Sequence, residues 1–187
     1  MTVLDKIKSF KVLGETNFRT NEKYGRFLKS LQKFNLPIVP CHNDLQHGNI
    51  LWSTEKEKIV FIDYEYGGMN YAPYDIANHF CEWAGDYTEE NSTPHVMDFK
   101  NKYPNLEQQE RFIRKYLLEY YKSSTSVQCP IIVSDELVLM WMLAVDSFKN
   151  LSHLLWTYWG IIQANNSTND KFDYLGYALI RLEALDV

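Results

Sequence analysis

Tyr24, Phe27, Leu28, Leu31 and Phe34 recur at helical spacing and predict a helix over 22–34, which Pro37 ends. The pattern then shortens. Ile38–Cys41, Ile50–Trp52 and Ile59–Ile62 read as strands, the last two joined by the polar turn Ser53–Lys58. Residues 74–84 return to helical spacing, with Asp75, Asn78 and Glu82 on one stripe and Ile76, Phe80 and Trp83 on another. The stretch Tyr87–Tyr103 is polar, has Pro94 within it and Pro104 behind it, and predicts a loop. Asn105 is placed to cap a helix carrying Phe112, Ile113, Tyr116, Leu117 and Tyr120 on one side. Ser134 is placed to cap a long apolar helix, with Asp135 and Glu136 suited to its positive end. That helix is expected to run to about Gln163, with a break near Lys149–Asn150, and a last helix to span 172–184. The elements predict an α+β, mostly helical lobe around a small β-hairpin.

Composition narrows the classes. The 187 residues suit one domain with a sizeable core, and 45% apolar content is ordinary for a globular chain. Aromatic residues make up 15%, with 13 Tyr and 5 Trp, enough to fill a core or to line a site for a flat or cationic ligand. A net charge of -5 without any Lys/Arg block argues against a nucleic-acid partner. Met1–Phe10 is charged and poor in apolar residues, unlike a signal or transit peptide. The longest apolar stretch, Leu137–Val145, is too short to cross a bilayer. A cytoplasmic protein is therefore expected. Cys41, Cys81 and Cys129 are odd in number and lack metal-ligand spacing, which suits a reducing compartment. Asn91-Ser92-Thr93 and Asn166-Ser167-Thr168 match the glycosylation pattern and, with no secretory signal, read as chance.

The residues that suggest chemistry surround the predicted hairpin. Cys41-His42-Asn43-Asp44-Leu45-Gln46-His47-Gly48-Asn49-Ile50-Leu51 is followed by Phe61-Ile62-Asp63-Tyr64-Glu65-Tyr66. Phosphoryl transfer from ATP needs a carboxylate to accept or orient the proton of the attacking hydroxyl, and oxygen ligands to hold Mg²⁺ against the phosphates. Asp44, with Asn49 five positions on, has the protein-kinase spacing H-x-D-x-x-x-x-N, in which the Asp is the base and the Asn a metal ligand. Asp63, directly after the run Ile59–Ile62, is placed as the second metal ligand. Gly48 is expected to let the backbone turn between them. Singly, each residue has a plainer reading: Asp44 or Asn49 as a turn or cap, His42 as a packed core histidine. Those readings do not explain two carboxylates bracketing a hairpin at this spacing.

The three runs CHNDLQHGNIL, IDYEY and YDIANHFCEW resemble the choline/ethanolamine kinase family, and the resemblance covers about residues 36–184. Aminoglycoside phosphotransferases share the H-x-D-x-x-x-x-N element but not the second and third runs. The resemblance implies the C-terminal lobe of a protein-kinase-like fold over 36–187, preceded by an N-terminal extension and lead-in helix over 1–35. It implies Asp44 as catalytic base, Asn49 and Asp63 as Mg²⁺ ligands, Gln46 near the transferred phosphate, and Glu82 bordering an amine site. His42 would support the loop. Asp75 falls on a family motif position but reads equally as a charge at a helix N-terminus.

A quaternary ammonium donates no hydrogen bond, so aromatic faces and nearby carboxylates must hold it. Ser152–Ala164 resembles the family's double-Trp helix, with Trp156 and Trp159 on one face, although two core tryptophans would give the same stripe. Tyr66, Tyr87, Phe172, Tyr174 and Tyr177 fall where the family places rings around the amine. Cys81-Glu82-Trp83 and Asp86-Tyr87 resemble choline kinases more, and Tyr174–Ala178 ethanolamine kinases; choline is narrowly preferred. The family's N-terminal lobe carries a Gly-rich cover and a Lys for ATP. Only Phe10–Gly14 faintly resembles such a strand and loop, and Lys11 reads better as a surface residue, so the N-lobe is expected to be absent. Two function classes follow: ATP-dependent phosphorylation of choline or ethanolamine, or a non-catalytic lobe that binds an amine or a partner kinase chain. An apolar face opposite the absent lobe predicts self-association, as a homodimer or with a partner chain.

Overall fold

A computed structural model describes residues 36–86, 96–124, 131–167 and 172–185. The expected helix over 22–34, Lys11, Tyr87 and Cys129 lie outside the described residues. Pro37–Val187 forms one compact unit, distinct from Met1–Leu36, and the following concerns that unit.

Strand β1 (Ile38–Cys41) leads into a loop that ends in one 3-10 turn, His47–Asn49. Strands β2 (Ile50–Ser53) and β3 (Lys58–Phe61) form the expected hairpin, antiparallel in the register Ile50↔Phe61 to Ser53↔Lys58. Strand β4 (Gly68–Tyr71), which the apolar pattern did not reveal, pairs antiparallel with β1 from Ile38↔Tyr71 to Cys41↔Gly68. Its Gly68-Met69-Asn70-Tyr71 sequence has little strand character, and pairing with β1 defines it. The outer surface of the small sheets is apolar: Leu51, Trp52, Ile59 and Phe61 are all exposed.

Helix α1 (Ala72–Glu82) starts two residues earlier than its apolar spacing implied, because Pro73 is tolerated in the first turn. Its buried positions include Ile76, Ala77, Phe80 and Cys81, but also Asn78 and Glu82, so its polar stripe faces the interior. The expected loop over Tyr87–Tyr103 requires correction. Val96–Met97 (β6) pairs with Gly85–Asp86 (β5), and Phe99–Lys102 forms a single helical turn, α2. Asp98 starts that turn by accepting from the Asn101 amide at 3.1 Å, while Met97 beside it is buried.

Helix α3 (Leu106–Ser124) opens on a reciprocal cap. The Gln108 amide donates to Asn105 Oδ1 and the Asn105 amide to Gln108 Oε1, both at 2.9 Å. Helix α4 (Asp135–Asn166) starts where Ser134 accepts from the Leu137 amide at 3.3 Å. It continues through Lys149–Asn150, so the expected break does not occur. No Gly or Pro interrupts that stretch, Lys149 pairs with Asp146 one turn back, and Val145, Phe148 and Ser152 on either side are buried. Helix α5 (Tyr174–Glu183) is capped by Asp173, which leaves Phe172 just ahead of it. α4 packs most extensively against α5 and α1, so the core lies among these three helices. At Gly160 a Cβ would stand 2.8 Å from the Tyr174 carbonyl oxygen and 3.0 Å from Ala178 Cβ, so the glycine permits the close α4–α5 approach. Among the described residues no helix is long and apolar enough to cross a membrane.

Candidate active site

The loop from His42 to Asn49 is held by α1 and by the residues after β3. Asp75 accepts two of its backbone amides, from His42 at 2.9 Å and Asn43 at 2.7 Å. A charge at a helix N-terminus thereby also clamps the loop. Asn43 has φ 63, a left-handed conformation that Asn tolerates better than most residues. All four of its polar groups are engaged. Beyond the amide on Asp75, its carbonyl accepts from Asn78 at 3.1 Å, its Oδ1 from Asn70 at 2.9 Å, and its Nδ2 donates to the Tyr66 carbonyl at 2.9 Å. The strained backbone falls on Asn43 and Asp63 rather than on Gly48, where φ is not positive. Gly48 instead leaves room for Gln46, whose Oε1 accepts the Gly48 amide at 2.9 Å and caps the 3-10 turn.

Asp44 and Asn49 meet directly. Asn49 Nδ2 donates to the Asp44 carbonyl at 2.8 Å and to its carboxylate at 3.3 Å. Ile62 is gripped on both sides: its carbonyl lies 2.8 Å from His42 Nε2, and its amide donates to the Asn49 carbonyl at 3.1 Å. These bonds fix the backbone entering Asp63, which is itself left-handed at φ 61. Burial, then the negative charges of Glu82 and Asp63, push the Asp44 carboxyl up to about 6, against the opposing influence of His42 and the Asn49 bond. The Asp63 carboxylate and Asn49 Oδ1 accept no hydrogen bond among the described residues. Both are hard oxygen donors beside a second carboxylate, which suits Mg²⁺. Among the described residues no three His, Cys, Asp or Glu side chains group as a metal cage. A cation held here would therefore take its other ligands from phosphate and water.

Six of the seven expected rings form one cluster. Trp159 lies 5.4 Å from Trp156, 5.6 Å from Tyr174, 5.9 Å from Tyr177 and 6.2 Å from Phe172, mostly edge to face. Its indole donates to the Tyr66 hydroxyl at 2.9 Å, and Tyr66 stands 5.5 Å from Trp156. Trp156 and Tyr177 are buried at the back, whereas Tyr66 is partly exposed. Burial raises the Tyr66 phenol pKa, the Trp159 bond opposes the rise, and the charges of Glu65, Asp44 and Asp63 add to it. The ring cluster and the loop carboxylates thus lie within electrostatic reach of each other. A cleft of about 680 Å³ borders the loop at Leu45 and His47 and reaches Glu82, Trp83 and Asp86.

Glu82 is not a bare carboxylate. Its Oε1 accepts from Arg181 Nη2 at 2.8 Å, with the two side chains 4% and 0% exposed respectively. Arg181 Nε also donates to the Tyr177 hydroxyl at 3.1 Å, tying the ion pair to the ring cluster. Sequence reading missed Arg181. Its signal was a charge four residues after Tyr177 on the inner face of α5, where burial demands an acidic partner. It also named Asn78 without a role: Asn78 Oδ1 accepts from Ser152 at 2.8 Å and from Trp156 Nε1 at 2.6 Å.

Solved structures that superpose on this one include kinases of ethanolamine and of choline. The ethanolamine kinase of Plasmodium vivax superposes with a TM-score of 0.65 at 30% identity, covering 87% of this chain and 37% of that one. The profile of the choline/ethanolamine kinase family matches residues 8–186, and the chain belongs to that family. It is 46% identical over 155 residues to "Probable choline kinase 2" of Arabidopsis thaliana, covering 83% of this chain and 41% of the relative. It is 39% identical over 169 residues to the human "Choline/ethanolamine kinase", covering 89% and 42%. The chain thus spans less than half the length of these curated relatives.

Proposed function

We propose that this chain carries the base and amine site of a kinase that phosphorylates the hydroxyl of choline or ethanolamine at the expense of ATP. The observation carrying this reading is that Tyr66 joins the Asp44 loop to the six-ring cluster: its carbonyl accepts from Asn43 and its hydroxyl from Trp159. The ring faces receive the ammonium head, at about 0.5–2 kcal/mol per contact. That leaves the hydroxyl arm directed toward Asp44. Asp44 takes the hydroxyl proton as the new O–P bond forms and the bond from the γ-phosphorus to the ADP oxygen breaks. Asn49 and Asp63 would hold Mg²⁺, which neutralises charge on the transferring phosphoryl group. Asp75 and His42 keep the loop in register, and Glu82 with Arg181 supports the back wall at Tyr177. The methylated amine, choline, is the preferred substrate, because a cation without N–H donors depends most on rings. The product is a phosphoamine.

The test couples Trp fluorescence titration with choline and ethanolamine to a phosphoamine assay with MgATP. Amine-dependent quenching and phosphoamine formation are expected, with Asp44→Ala lowering turnover by about 10²–10⁴-fold. Turnover that survives Asp44→Ala, or no response to either amine, would overturn the reading.

A further inference from the structure

We infer that Asn78 is a positioning residue that links the double-Trp helix to the residue preceding Asp44, so that the amine cluster and the aim of the proposed base move together. The inference rests on the proposed function. Asn78 is fully buried at the centre of α1. On one side its Oδ1 accepts from both Ser152 and Trp156 of α4, at 2.8 and 2.6 Å. On the other its Nδ2 donates to the Asn43 carbonyl at 3.1 Å. The amide cannot be turned over. An indole N–H only donates, so oxygen must face Trp156, and the NH₂ must then face the loop carbonyl. The path from Trp156 to the peptide joining Asn43 and Asp44 is thus one rigid side chain with both ends bonded. Asn43 has little slack to absorb a displacement, because Asp75, Asn70 and Tyr66 hold its other polar groups. A base displaced by about 1 Å can lose 10²-fold in rate.

Asn78→Asp separates the two ends. As a carboxylate it keeps an acceptor for Ser152 and Trp156 but sets a second oxygen against the Asn43 carbonyl and breaks the loop link. A protonated carboxyl would donate to that carbonyl, so kcat is read at the alkaline end of the pH profile, where the carboxyl is ionised. With full-length protein, kcat is expected to fall about 10–100-fold while the amine KM changes less than about threefold. Trp156→Phe, which removes the indole donor and keeps a ring, should lower kcat in the unaltered chain and have little further effect on kcat in Asn78→Asp. A purely structural role would lower the melting temperature and the active fraction, leaving kcat per active site unchanged. That result would overturn the inference. A readout on the unaltered chain covers the case in which Asn78→Asp fails to fold. Saturating choline should shift both the Trp156 indole and the Asp44 amide signals in ¹⁵N–¹H spectra. A shift of Trp156 alone would overturn the link and leave the amine site standing, whereas no choline response at all would overturn the function and the link together.

Discussion

Arg181→Met tests the buried ion pair behind the ring cluster. The substitution keeps much of the side-chain volume and removes the guanidinium from Glu82, of whose side chain only 4% meets solvent. Both partners are desolvated, so the surface-pair value of about 0–1 kcal/mol does not apply. Removing one member of a buried pair costs about 3–5 kcal/mol, because the other charge remains uncompensated. The guanidinium also stands 5.7 Å from the Phe99 ring and 5.5 Å from the Tyr177 ring, contacts that vanish with it. Against a typical total of about 5–15 kcal/mol this is a large share of the stability. For a chain of this size the midpoint should drop by about 6–20 °C. Urea unfolding followed by Trp fluorescence measures the change. The companion variant Glu82→Leu with Arg181→Met removes both charges and should recover most of the loss, since a buried pair is often no better than packed apolar groups. A loss under about 1 kcal/mol in the single variant, or a double variant no more stable than the single, would refute this reasoning.

Trp159→Ala should weaken choline about 2–30-fold and ethanolamine less, because the methylated cation relies on ring faces; equal losses by fluorescence titration would contradict the assignment. Gly160→Ala gains about 1 kcal/mol of helix propensity, but its methyl meets the Tyr174 carbonyl at 2.8 Å, and overpacking of about 1–3 kcal/mol should win. Thermal melts of Gly160→Ala that match or exceed the parent would show that α5 yields freely. The Asp44 carboxyl, raised from 3.8 to about 6, should set an acid limb on kcat/KM, with activity lost below about pH 6 as the base is protonated. The same shift lets the folded state bind this proton more tightly than the unfolded chain, so the group's stabilising contribution declines as pH rises from 3.8 toward 6. A kcat/KM profile flat down to about pH 4 would contradict that limb.

Patterns local in the chain were legible before any coordinates. The β2–β3 hairpin, the caps at Asn105 and Ser134, and the 44–49 spacing all depend on neighbours within a few residues. The double Trp at 156 and 159 could be assigned to one helix face for the same reason. What those rings meet turned on a residue nearly a hundred positions away: the indole of Trp159 donates to the hydroxyl of Tyr66. Strand β4 was invisible because its stability comes from β1 and not from its own composition. The helical break expected at Lys149–Asn150 failed because burial on either side outweighs two polar residues. Arg181 and Asn78 read as unremarkable polar positions until folding removed water from around them and forced each to find a partner on another helix. Short-range spacing therefore carried the candidate chemistry at the hairpin. The arrangement of three helices, α1, α4 and α5, decided what surrounds it, because desolvation acts only once distant segments meet.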